Sequence, residues 1–319
     1  MVHLVTGAAG FIGSSLTDRL LAEGERVIGV DCFRDYYSPS VKRANLSGAL
    51  GNASFTLLEL DLSTDSLSRL SDSVGREDLV VYHLAAQAGV RRSWGESFEV
   101  YTRDNVTATQ RLLEWARSAE GLSSFVYASS SSVYGNTAEL PMREDASVPR
   151  PFSPYGVTKL AGESLVRLYS GNYGLPSVSL RFFTVYGPRQ RPDMAFHRFI
   201  SAALGGDPIE IYGNGSQTRD FTYVDDVIDA VLAARAVTGG EVLNVGGGNR
   251  VSLSEAVGVL ADLMGSRAEV RQMPVQKGDV RDTLASTELI ERATGWKPST
   301  DLRKGLAAEL DWLSGASEA

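Results

Sequence analysis

Tyr155 and Lys159 stand four residues apart in Ser153-Pro-Tyr155-Gly-Val-Thr-Lys159. Ser153 followed by Pro154 predicts a helix start, because serine accepts from a free amide and proline is tolerated at the first helical position. The spacing then puts the ammonium one turn above the phenol on the same face. A phenol ionises near pH 10, so using it as a base near neutrality asks for about 4 kcal/mol of extra stabilisation of the phenolate. A neighbouring cation supplies part of that. The run Ser129-Ser130-Ser131-Ser132 follows an apolar stretch, 124–128, that reads as a strand. It would bring a hydroxyl to the same place to hold the substrate oxygen and share its proton. Tyr-x-x-x-Lys recurs in many helices and serine runs in many loops, so the surrounding elements must decide.

Those elements begin at the N-terminus. Residues 2–6 are an apolar run suited to burial on both faces, followed by Gly7-Ala-Ala-Gly10-Phe11-Ile12-Gly13 and an amphipathic helix. Strand, glycine turn and helix in that order make a pyrophosphate cradle, with the glycines giving a tight turn, close backbone approach and helix packing. A second strand, 26–30, ends in Asp31, where a carboxylate accepts from adenosine ribose hydroxyls and repels a 2′-phosphate. That favours NAD over NADP. The connection 33–46, with Asp35-Tyr36-Tyr37, lies over the adenosine side. Strand 55–60 ends at Asp61-Leu62, placed to meet the adenine, and strand 79–84 runs through Leu84 into Ala85-Ala86, small enough to pass close to the cofactor. His83 reads as a satisfied core histidine. Arg91 and Arg92 read equally as an anion-facing pair or a surface pair. A long helix over 96–119 carries Asn105, either on its polar face or bracing the backbone beside the cofactor.

Strand and helix alternate as far as Arg181, which argues for a doubly wound parallel sheet with its ligand at the carboxyl ends of the strands. We read 1–181, completed by about 222–246, as the dinucleotide-binding domain. Residues 182–221 and 247–319 form a smaller α/β domain on the substrate side. Its first stretch, from Phe183-Thr184 through Arg191 to Phe196-His197-Arg198, is irregular, aromatic and basic. Gln217-Thr-Arg219-Asp220 and Gly278-Asp279-Val-Arg281 follow, and Arg219 and Arg281 are suited to fork onto a diphosphate.

Composition narrows the class. Charged residues make up 22% and the net charge is −8, which argues against a nucleic-acid binder lacking a basic face. Cys32 is the only cysteine, so no internal disulfide is possible, and we expect it to be a small buried residue at a strand end. With three scattered histidines no zinc spacing appears, and no metal is expected. No apolar run approaches the ~18 residues of a membrane helix and no leader pattern precedes the first strand, so a cytoplasmic enzyme is the expectation.

Taken together, Gly7, Gly10, Gly13, Asp31, Ser129-Ser130, Tyr155, Lys159 and Gln217-x-Arg219-Asp220-Phe221-x-Tyr223 resemble the extended short-chain dehydrogenase/reductases, specifically their nucleotide-sugar epimerases. The likeness covers nearly the whole chain. Within that family Asp35-Tyr36-Tyr37, Gly89-Val-Arg91 and Arg181-Phe-Phe-Thr184 with Arg191-Pro-Asp-Met-Ala195 are most similar to UDP-glucuronate 4-epimerases. The resemblance implies bound NAD, a UDP-sugar substrate and a homodimer through the helices 96–119 and 154–173. It implies that Tyr155 takes the proton of the sugar 4-hydroxyl as C4 is oxidised, with Ser130 sharing that proton and Lys159 lowering the phenol pKa. The 4-keto sugar then turns over before it is reduced on its other face. The substrate side would use Arg91, Ser130, Ser131, Thr184, Arg191, Phe196, His197, Gln217, Arg219, Asp279 and Arg281. Galactose epimerases often carry an arginine before Gly-Asp where this chain has Gln276-Lys277. Related decarboxylases and dehydratases carry carboxylates where this chain has Ser131-Ser132. A 4-keto uronate loses carbon dioxide readily, and hydroxyls from Ser131 and Thr184 are suited to hold its carboxylate still. The alternatives are UDP-glucose/UDP-galactose 4-epimerisation and UDP-glucuronate decarboxylation.

Overall fold

A computed structural model of the protein describes all residues except 138, 147, 266–268, 277 and 318–319. Its strands are β1 Val2–Thr6, β2 Arg26–Asp31, β3 Phe55–Glu59, β4 Leu79–His83, β5 Leu122–Ser130, β6 Ser177–Phe182, β7 Thr184–Tyr186, β8 Ile209–Tyr212, β9 Thr218–Tyr223, β10 Gly239–Val245, β11 Arg250–Ser252 and β12 Val270–Met273. Seven of them form one sheet in the order β10-β6-β5-β4-β1-β2-β3, every neighbouring pair parallel. Strands buried on both faces need continuous apolar runs, and β1 and β4 are buried at every position. Alternation sends Val5 to one face, with Leu16, Val227 and Ile228, and Val2 and Leu4 to the other, with Leu112, Phe125 and Val166. This is the doubly wound parallel sheet expected from the alternation of elements.

The helix Pro154–Tyr173 has the expected ends: Ser153 Oγ accepts from the Gly156 N–H at 3.1 Å, Pro154 opens the first turn, and Gly174 closes it at φ 66°. The expected long helix over 96–119 is present as one uninterrupted helical run, 98–118, that is not uniform. Phe98–Thr102 and Ala108–Ser118 are α-helical, and Arg103–Thr107 between them is a π-type turn around Asn105. The extra residue in that turn rotates Asn105 inward, where it is 1% exposed.

Past Thr184 the strands outside the main sheet are short. A three-stranded sheet, β11-β9-β7, and the pair β12-β8 pack with the helices Ala195–Gly205, Leu253–Met264 and Leu302–Ser317 around Tyr186, Phe196, Phe199, Phe221, Leu260 and Leu306. Phe196 is therefore a core residue, its ring 4.7 Å from that of Phe221, and not the substrate contact expected for it. Among the described residues no helix is long and apolar enough to cross a membrane.

Glu309, on the last helix, is fully buried; its Oε2 accepts from the Gly187 N–H at 2.8 Å and its Oε1 has no hydrogen-bond partner among the described residues. Burial pushes its carboxyl up to about 8, against the pull of that one amide. An acid whose pKa is higher folded than unfolded favours folding while protonated, and that contribution drains away as pH rises from the unfolded value through the folded one. Thermal unfolding of Glu309→Gln and the parent, followed from pH 5 to pH 9, should show the variant gaining relative stability as pH rises from 5 to about 8 and the difference levelling off above that; parallel curves would show that Glu309 does not titrate in this range.

Candidate active site

The strand order reverses between β1 and β4, which opens a crevice at the carboxyl ends of the strands. A cleft of about 390 Å³ occupies it. Gly7, Gly10, Phe11, Ile12, Gly13, Asp31, Asp61, Leu62, Leu84, Ala85 and Ala86 line one half. The glycines are sterically required there. Gly7 lies at φ +70° with a Cβ position 2.9 Å from the Ala85 nitrogen, and a Cβ on Gly13 would collide with the Gly7 carbonyl. Gly10 begins the helix Phe11–Ala22 with no side-chain cap and no acid in the first turn, so its leading amides are left for an anion. That cradle fits a dinucleotide pyrophosphate.

Asp31 is braced by its surroundings, accepting from the Ala9 N–H at 3.1 Å and the Phe33 N–H at 2.8 Å, with Lys42 Nζ at 3.9 Å. Asp61 accepts from the Ser63 amide at 2.9 Å and from Arg34 at 2.5 Å. Arg34, Tyr36, Tyr37 and Lys42, from the connection 33–46 expected to lie over the adenosine side, all line the cleft. Cys32 is exposed there, contrary to the buried position expected of it, because β2 ends one residue earlier. Asn105 does not line the cleft. It braces the wall behind it, accepting from the Gln87 N–H at 2.7 Å and donating to the Gln87 carbonyl at 3.0 Å and Thr158 Oγ1 at 2.9 Å. His83 is a satisfied core histidine between Thr6 and Thr109, at 2.8 and 2.9 Å.

In the other half β5 delivers Ser129 and Ser130 to the first turn of the helix that carries Tyr155 and Lys159, and all four line the cleft. Ser130 Oγ accepts from the Ser132 N–H at 3.1 Å and lies against the Tyr155 phenol. The ring of Tyr101 packs edge-on to that of Tyr155 with centroids 6.2 Å apart. Burial pushes the phenol pKa up, outweighing the hydrogen bond with Ser130 and the charge of Arg191 that pull it down. Lys159 lies over the Tyr127 ring, 4.7 Å from its centroid, and burial lowers its pKa to about 7 against the attraction of Glu163. Lys159 was expected to supply part of the pull that lowers the phenol; here the downward pulls come from Ser130 and Arg191, and burial outweighs both.

One pair went unread. Glu163, a further turn along from Lys159, receives Arg181 Nη2 at 2.6 Å and Nε at 3.0 Å, and Ser129 Oγ donates to it at 2.6 Å. Both charged side chains are buried. An arginine inside an otherwise uncharged, fully buried strand was the available signal, since a charge there demands a partner.

Ser131, Ser132, Phe183, Thr184 and Arg191 complete the cleft, and Arg191 holds Asp193 through Nε and Nη2, both at 2.9 Å. The other expected substrate residues lie outside it. Arg91 pairs with Asp279 at 2.8 Å and stacks on Tyr212 at 4.1 Å, Gln217 donates to the Tyr212 carbonyl at 2.7 Å, and half-buried Arg219 donates to the Thr218 and Arg281 carbonyls at 2.9 and 3.0 Å. These four form a second polar cluster beside the cleft. The Arg281 side chain is 80% exposed and 3.8 Å from Asp282, so it makes no fork with Arg219. His197 lies instead in a separate shallow hollow with Arg198 and Arg271. Lys277 lies outside the described residues.

Residues 3–246 match the NAD dependent epimerase/dehydratase family. The chain is 43% identical to the uncharacterised UDP-glucose epimerase YtcB of Bacillus subtilis (strain 168), over 98% of both chains. It is 37% identical to the UDP-glucuronate 4-epimerase of Thermodesulfobacterium geofontis (strain OPF15), over 97% of this chain and 95% of that one. The UDP-glucuronic acid 4-epimerase of Bacillus cereus, solved with UDP-glucuronic acid and NAD, superposes with a TM-score of 0.93 at 41% identity, covering 99% of this chain and all of the other.

Removing one partner of a buried ion pair leaves the other charge stranded, at a cost of about 3–5 kcal/mol. Chemical denaturation of Glu163→Ala should show a loss of that size, whereas a loss below about 1 kcal/mol would mean that Arg181 finds water or another acceptor.

Proposed function

The chain belongs to the NAD dependent epimerase/dehydratase family, and from that premise we propose that it is an isomerase interconverting UDP-glucuronate and UDP-galacturonate by inversion at C4 through a transient 4-keto sugar. The observation that carries this reading is one cleft in which the Tyr155 phenol and the Ser130 hydroxyl face a wall of Ser131, Thr184 and Arg191. NAD bound on the glycine cradle supplies reversible two-electron oxidation at C4. Tyr155 takes the proton of the 4-hydroxyl and returns it after the sugar has turned, and Ser130 holds that oxygen in both poses. Lys159 orients the cofactor ribose and adds positive charge beside the phenol. Binding energy for the turning intermediate has to come from the nucleotide, and the cluster of Arg91, Gln217, Arg219 and Asp279 is the place for it. In this division 1–181 with about 222–246 hold the cofactor, and 182–221 with 247–319 hold the UDP-sugar.

A UDP-glucose epimerase requires no cation facing C6, and a decarboxylase benefits from a carboxylate where Ser131 and Ser132 stand. Arg191 and Thr184 together favour the uronate. With its guanidinium and hydroxyl on the substrate carboxylate, the bond to C5 is kept from the alignment that releases carbon dioxide. We also propose a cytoplasmic homodimer. Val157 and Leu168 are 50% and 56% exposed on one face of the Pro154–Tyr173 helix, with Phe98 exposed on the neighbouring helix, a surface suited to a second copy. Sedimentation velocity should return a dimer-sized species; a monomer-sized one would dismiss this part.

Purified enzyme given UDP-glucuronate and no external electron acceptor should form UDP-galacturonate. Tyr155→Phe should lose about 10²–10⁴ of the rate. In the same assay Thr184→Ala should raise the decarboxylated fraction of the product. UDP-xylose from the parent enzyme would move the reading to decarboxylation, and unchanged partitioning in Thr184→Ala would remove that residue from the carboxylate site.

A further inference from the structure

Three sequence stretches separated by long intervals, Asp35-Tyr36-Tyr37, Gly89-Val-Arg91 and Arg191-Pro-Asp193, meet at one point on the rim of the cleft. Tyr36 leaves the end of β2 and reaches across to the segment after β7, where its hydroxyl donates to Asp193 Oδ2 at 3.2 Å. Asp193 uses both oxygens on the Arg191 fork, at 2.9 Å each. The Tyr36 ring lies between two cations, with the guanidinium of Arg92 4.9 Å from its centroid and that of Arg191 at 5.9 Å. Gly89 makes room for it: its φ is +104°, and a Cβ there would collide with the Tyr36 hydroxyl.

We propose that Tyr36 and Asp193 are positioning residues that set the preference for a uronate: Asp193 keeps the Arg191 fork ordered at the cleft, and the Tyr36 hydroxyl keeps Asp193 from claiming that fork when a substrate carboxylate arrives. The proposal rests on the epimerase reading above and deepens it. An unpartnered arginine at a cleft rim samples many rotamers, and ordering it on binding costs free energy. Asp193 meets that cost beforehand, yet by itself it is also a competitor, a carboxylate already seated where another must bind. A hydroxyl donating to Asp193 spreads its charge over a second partner, so one guanidinium edge can be shared with the incoming carboxylate. A neutral hydroxymethyl group at C6 offers no negative charge for that exchange and leaves the Arg191–Asp193 pair closed. Burial, with the neighbouring Asp193 charge, raises the Tyr36 pKa, so it remains a donor at neutral pH. Burial pushes the Asp193 carboxyl up, but Arg191 outweighs it and holds the net pKa below the ordinary value, so it remains an acceptor. The linkage also joins the connection after β2, which lines the cofactor half, to the wall that faces the sugar.

The test compares Tyr36→Phe and Asp193→Ala holoenzymes with the parent in two measurements: KM and kcat for UDP-glucuronate, and the inhibition constant of UDP, which reports nucleotide binding without a sugar. Loss of a hydrogen bond to a charged group should raise KM for UDP-glucuronate about tenfold in Tyr36→Phe, with kcat and the UDP constant within about twofold. Asp193→Ala should move KM in the same direction and raise the fraction of decarboxylated product. Equal shifts in KM and the UDP constant would mean that the two residues merely support the fold, and an unchanged KM would show that Arg191 needs neither. If the parent itself does not turn over UDP-glucuronate, the epimerase reading falls first, and the parent assay reports that separately.

Discussion

The buried pair of Glu163 and Arg181 decides where the helix carrying Tyr155 meets the sheet. Its two hydrogen bonds, 2.6 and 3.0 Å long, lock that helix to β6. Glu163 also receives the Ser129 hydroxyl from β5, so three elements are fixed by one carboxylate. Tyr155, Lys159 and Glu163 follow one another at four-residue intervals along one helix face. The charge that secures the scaffold is thus the one nearest the lysine, and it partly offsets the burial that drives the ammonium toward neutrality. A buried ion pair is weak evidence for stability in itself, since apolar substitutes often do as well. Here its value is geometric, because a proton shared between Ser130 and Tyr155 tolerates little displacement.

The rest of the structure divides fixed from free. The cofactor half is rigid by construction, with Gly7 and Gly13 admitting no side chain, Asp31 braced by two amides, and Gln87 held at both its N–H and carbonyl by Asn105. The sugar half is lined with small hydroxyls and one paired arginine, groups that can meet a ring in more than one pose. In the proposed reading, affinity is displaced to the cluster around Tyr212, outside the cleft in which the ring must turn. The separation follows from the chemistry: a site that gripped one pose of the sugar would stop inversion halfway.

Much of this was legible in the sequence. Runs apolar on both faces announced the parallel sheet, the glycine spacing announced the cradle, and Ser153-Pro154 with Gly174 marked both ends of the helix that matters most. What failed to show had physical causes. Strands of three to six residues such as Thr218–Tyr223 mix charged and aromatic residues and lack clean alternation, so β7, β9, β11 and β12 were unread. The π turn at Asn105 depends on a tertiary partner, the Gln87 backbone, that no local pattern reveals. Arg281 and Phe196 were assigned by residue type, yet the first points to solvent and the second fills a core. Tyr36 was noticed as a sequence signature, but its purpose depends on Asp193, 157 residues away.

The account turns on one carbon being oxidised and then reduced by the same hydrogen. UDP-glucuronate carrying deuterium at C4, incubated with holoenzyme in ordinary water, tests this most directly. The account predicts UDP-galacturonate that keeps the deuterium at C4, because the hydrogen is held within the closed site and returned to the opposite face. Washout of the label into solvent at the rate of inversion would contradict it and point to proton abstraction from carbon instead.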